Sequence, residues 1–149
     1  QIKLFLNWKG KIMNVKIFKV VAFAGCLLAS TGGALAFNDT VKANADTIEK
    51  QTPLSKIFSS AMSDDDYGIC VHASIYASLL DVRGDLPNDM ALIWELIRRG
   101  LVDYRGNHLS NGGSQAYLDA IITSADARFD TDEIGFSKYC ADLLTAPLR

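Results

Sequence analysis

The chain has 149 residues, 49 % of them hydrophobic, with three cysteines, two histidines and a formal charge of −2. That size and apolar content suit one globular domain with a modest core, and no internal repeat or low-complexity tract interrupts it. Once residues 1–36 are set aside, for the reason given next, ten Lys and Arg face seventeen Asp and Glu. The resulting charge of −7 argues against nucleic acid and anionic lipid as partners, and leaves a basic protein partner or plain solubility.

Residues 13–36, MNVKIFKVVAFAGCLLASTGGALA, have the layout of a secretory signal. Lys16 and Lys19 form the charged start, Val20 to Leu28 the apolar stretch, and Ala34-Leu35-Ala36 a small-residue cleavage site, so cleavage is expected after Ala36. The apolar run is shorter than the roughly 20 residues that span a bilayer, so no stable membrane insertion is expected. Residues 1–12 precede Met13, which is read as the start of translation. A rival reading takes FAGC, residues 23–26, as a lipobox with Cys26 as the lipid carrier; Phe23 and the apolar Leu27 and Leu28 disfavour it. Removal of residues 1–36 leaves Cys70 and Cys140, and an even count in an exported protein reads as a disulfide.

Residues 37–52 are polar and read as an N-terminal arm or weak helix ahead of a helical domain at 53–149. A short helix is expected after Pro53, burying Leu54, Ile57, Phe58 and Met62. Ser63 with Asp64, Asp65 and Asp66 then offers an N-cap and an acidic first turn, which the helix dipole explains without a metal. The helix that follows runs to about Leu80, with Ile69, Ala73, Tyr76 and Leu80 on one stripe. Residues 81–87 form a turn marked by Gly84 and Pro87. The next helix is capped by Asn88, pairs Glu95 with Arg99 at i,i+4, and is expected to stop at Gly100. Residues 103–113, DYRGNHLSNGG, read as a glycine-rich loop, and Ser114 caps a helix carrying Tyr117, Leu118, Ile121, Ile122 and Ala125. A second polar link at 126–133 leads into a last helix, where Phe136, Cys140 and Leu143 recur at helical spacing. The expected fold is all-α: a small disulfide-stapled bundle of four to five helices.

The residues that carry chemistry do not assemble into a catalytic pattern. Cys70 and His72 lie at i and i+2 of a helix, about 200° apart, so they cannot form a nucleophile-base pair. No G-x-S-x-G surrounds Ser74, Ser110 or Ser114, His72 and His108 lack metal-ligand spacing, and GNHLSNGG lacks the lysine of a phosphate loop. The chain is therefore read as a binding protein rather than an enzyme, with no cofactor and no metal.

One resemblance follows from these residues. The export signal, the pattern CVHASIY at 70–76, a second cysteine 70 residues later and the aromatic-led IGFSKYCADLL at 134–144 resemble periplasmic immunity proteins that neutralise peptidoglycan-amidase effectors of the type VI secretion system. The resemblance covers roughly residues 65–145. It implies a helical protein of the periplasm, a homodimer, that binds its cognate amidase and inserts a polar loop into the substrate cleft. On that reading residues 126–133 are the inserting loop, with Asp126, Arg128, Asp130, Asp132 and Glu133 as contacts. Tyr104, Arg105, Asn107 and His108 form a competing contact loop. The alternative class is a periplasmic stress or acid chaperone, which would expose apolar surface as its carboxylates protonate.

Overall fold

The computed structural model describes residues 37–149. The predicted export signal, Met13, Cys26 and the cleavage point after Ala36 lie outside the described residues. The fold is all-α, and no strand occurs among the described residues. Helix α1 spans Asp39–Gln51, α2 Leu54–Ala61, α3 Asp64–Val82, α4 Asn88–Ser110, α5 Gln115–Thr131 and α6 Glu133–Thr145; a 3-10 turn at Ala146–Leu148 closes the chain. No helix of the described residues is long and apolar enough to cross a membrane.

Local sequence sets most of the helix starts. Asn38, Ser63, Ser114 and Asp132 each accept a hydrogen bond from a backbone N–H of the first turn, supplying part of what a helix start lacks. At α3 the cap is reciprocal: Ser63 Oγ accepts from the Asp66 N–H at 3.1 Å, and Asp66 Oδ2 accepts from the Ser63 N–H at 3.0 Å. At α4 the cap position falls on Pro87 rather than Asn88, and no side chain caps it. Gly84, at φ 74°, supplies the left-handed turn that ends α3.

Helix α3 is the centre of the bundle. Tyr67, Ile69, Cys70, Val71, Ala73, Tyr76, Ala77 and Leu80 are all buried, because α4, α5 and α6 each pack on it. Helix α5 runs alongside in the same direction, from Tyr117 beside Asp64 to Phe129 beside Tyr76. Gly68 permits the approach: a Cβ there would lie 2.9 Å from the Ile121 carbonyl oxygen. Helices α4 and α6 run the opposite way, bringing Tyr104 onto Tyr67 and Cys140 onto Cys70. The Cys70–Cys140 disulfide forms, with a Cα–Cα distance of 5.7 Å, and both residues are fully buried.

Helix α4 is the second organiser. It carries the fully buried Trp94 and Ile97 into the core and packs on α1, α2, α3 and α6. Glu95 is also fully buried, and it accepts from Arg98 Nε and Nη2 and from Arg99 Nε, each at 2.9 Å. Burial pushes the Glu95 carboxyl up, and the two guanidinium groups more than offset this, holding it below the ordinary range. Arg99 then reaches across to α1, donating to Asp46 at 2.7 Å and to the Lys42 carbonyl at 3.3 Å. The Glu95–Arg99 pair expected from spacing is therefore also a link between helices.

Five expectations are sharpened or changed. Residues 37–52, expected as an arm or a weak helix, form a docked helix: α1 buries Val41 and Ala45, with Phe37 buried just before it, and packs on α4, which brings the helices among the described residues to six. Gly100 does not stop α4, because its missing side chain is what lets α2 approach; a Cβ there would sit 2.4 Å from Phe58 Cδ1. Residues 103–110 are consequently the last turns of α4, and only Asn111 to Ser114 link it to α5. Residues 126–131 belong to α5, so the supposed link at 126–133 shrinks to Asp132. Ile57, expected in the core, is 37 % exposed.

Candidate interaction surface

The N-terminus of α3 gathers side chains from three other helices. Its first turn holds Asp64, Asp65 and Asp66, which the positive end of the helix dipole favours. Tyr104 from α4 donates its hydroxyl proton to Asp64 Oδ1, and Tyr117 from α5 donates to Asp64 Oδ2 at 2.5 Å. Tyr139 from α6 donates to Asp66 Oδ1 at 2.7 Å. The bonds from Tyr104 and Tyr117 hold the Asp64 carboxyl below the usual carboxylate range. Reciprocally, bonding to a carboxylate raises the Tyr117 and Tyr139 phenols, while burial and then Asp64 raise Tyr104. All three phenols therefore act as donors over the ordinary pH range.

Ring stacking fixes these groups further. Tyr104 stacks on the buried Tyr67 at 4.7 Å between ring centroids, and burial pushes the Tyr67 phenol up to about 12. Tyr117 stacks on His108 at 5.4 Å with only 10° between the planes. His108 owes its place to Gly113, where a Cβ would lie 2.1 Å from Nε2. Arg105 Nε donates to Gln115 Oε1 at 3.0 Å, and Gln115 in turn donates to Asp119 at 2.8 Å, tying the end of α4 to the start of α5. Arg128 lies over the Phe136 ring at 5.4 Å and 3.7 Å from Asp65. Tyr117 and Tyr139 remain 47 % and 45 % exposed, so the cluster presents aromatic faces to solvent instead of closing on itself.

The two expected contact stretches are only partly united here. Tyr104, Arg105 and His108 come from one, and Arg128 from the other. Asn107 is exposed on α4 and donates to Asp103. Asp126 lies farther along the α3–α5 seam, facing His72. Asp130 is in the last turn of α5, Asp132 caps α6 through the Gly135 N–H, and Glu133 begins α6 with its charge near Tyr76. Asp130 and Glu133 lie in helices on either side of Asp132, so no extended loop carries the three.

Sequence reading missed Asp64, Asp66, Tyr117 and Tyr139. The aspartates were legible as a helix start and that reading holds; their second role depends on tyrosines 40, 53 and 73 residues away. Tyr117 is expected from sequence only as part of the helix that carries Leu118 and Ile121, and in the structure it faces outward. Among the described residues no group of three or more His, Cys, Asp or Glu is arranged to hold a metal ion. Comparison with protein-family models, with curated proteins and with solved structures finds no match for this chain.

Proposed function

We propose that this chain acts by binding another protein through the tyrosine-ringed end of α3, and that the partner is a peptidoglycan amidase against which it is an immunity protein. The observation that carries the reading is the convergence of Tyr104, Tyr117 and Tyr139 from three helices with two rings half exposed. Tyrosine and arginine supply most of the energy at protein interfaces, because they offer large, stiff, amphipathic contact area. The charge of −7 over residues 37–149 favours a basic counterpart. The amidase as partner, the periplasm as compartment and a homodimer as assembly come from the family resemblance.

In this reading the surface acts as a rigid cap over the amidase cleft, since the stretch once expected to insert is helical up to Asp132. The amidase supplies the catalytic groups, and this chain supplies occlusion. The test is rescue of cells that express a periplasmic amidase, together with inhibition of the purified enzyme. Y117A/Y139A is expected to lose at least tenfold in affinity while keeping its helical circular dichroism. Full inhibition by that double variant would remove the surface from the interface; failure of the native protein to bind any amidase would remove the partner class.

A further inference from the structure

We propose that His72 and Asp126 form a clasp between α3 and α5 that tightens on mild acidification. The His72 side chain is 13 % exposed and lies between the two helices, its ring stacked on Phe129 at 5.9 Å. Nε2 is 2.7 Å from the Ile122 carbonyl oxygen, and Nδ1 is 3.6 Å from Asp126 Oδ1. A carbonyl oxygen can only accept, so Nε2 carries a proton in either charge state. The neutral ring therefore turns a bare Nδ1 lone pair toward a carboxylate, an unfavourable contact. A second proton converts that contact into an ion pair while the Ile122 bond is kept. One imidazolium then holds two successive turns of α5 to α3.

The other charged groups near this seam are Arg128, which lies 3.7 Å from Asp65, and Asp130, both on α5 with Asp126. Helix α4 presents Tyr104 and Arg105 near the N-terminal end, and α6 presents Tyr139 to Asp66 and Glu133 toward Tyr76. Asp126, expected from sequence to face a partner, also faces His72 within the chain. Because Asp64 is on α3 and Tyr117 on α5, the clasp also keeps the two sides of the interaction surface in register. That consequence rests on the functional reading above, whereas the clasp itself does not.

The test compares thermal unfolding of the native protein and D126N at pH 7.5 and pH 5.5 at fixed ionic strength. Asp126 is 42 % exposed at its side chain, so the variant should fold. At pH 7.5 the new carboxamide can donate to Nδ1, and D126N is expected to melt at or above the native protein. At pH 5.5 the order is expected to reverse. A constant offset between the two proteins at both pH values would overturn the clasp. So would ring nitrogen shifts at pH 7.5 that place the proton of native His72 on Nδ1 instead of Nε2. A melting crossover without amidase binding at either pH would keep the clasp and refute the function proposed above.

Discussion

Two glycines six residues apart in α4 should respond in opposite ways to the same substitution. Replacing a helical glycine by alanine ordinarily stabilises by about 0.8–1 kcal/mol, because alanine has less backbone freedom to lose. At Gly106 the new methyl meets nothing within 4 Å, so Gly106→Ala should realise that gain. At Gly100 the methyl would be 2.4 Å from Phe58 Cδ1 and 3.0 Å from the Ser55 carbonyl oxygen. Phe58 is 1 % exposed and cannot swing away, so α2 must shift from α4, an overpacking cost of roughly 1–3 kcal/mol. With the propensity gain subtracted, Gly100→Ala should destabilise by about 1 kcal/mol. The two variants should therefore differ by roughly 2 kcal/mol in urea unfolding followed by circular dichroism, at unchanged denaturant slope. If Gly100→Ala stabilised as much as Gly106→Ala, the α2–α4 contact would not be as close as described.

Two further outcomes follow from the core and from the surface. Replacing both cysteines, C70A/C140A, opens a loop of 70 residues and should cost about 4 kcal/mol. Spread over the unfolding entropy of residues 37–149, that is a fall in melting temperature of roughly 15–20 °C by calorimetry; a fall of less than about 5 °C would show that the covalent link adds little. Asp64→Asn should cost about 1 kcal/mol at pH 7, a modest figure because the carboxylate is mostly exposed. Since the folded-state carboxyl is held below its ordinary value, the charged form is the stabilising one, and its contribution is lost as pH falls through the acid range. The gap between Asp64→Asn and the native protein should thus narrow from pH 5 downward in urea titrations, and a gap that widened would refute the assignment.

The elements that sequence predicted well are those with local causes. Ser63 and Ser114 cap because a hydroxyl at that position meets the next turn's N–H groups whatever the rest of the chain does. The cysteine pair was legible because the expected cleavage after Ala36 would leave each sulfur one partner. The failures have non-local causes. Gly100 resembled a stop, but its cost to the helix is offset by the approach of Phe58, and Leu101 and Tyr104 continue the packing seam beyond it. The polar composition of residues 37–52 left an arm or a weak helix open, yet α1 buries Val41 and Ala45 and is held by Arg99 through Asp46. Of the candidate surface, Tyr104, Arg105, His108 and Arg128 were legible from sequence. Tyr139 was invisible because its partner is 73 residues away.

The burial of Cys70 and Cys140 has a consequence for the life history of the chain. Neither sulfur can be touched by a thiol reagent or an oxidoreductase once α3, α5 and α6 have closed. The bond must be made while the last helix is still free to come and go, and the finished core then seals it. Reductants present afterwards act only on molecules that open, so the rate of reduction measures how often the helices packed around the bond come apart.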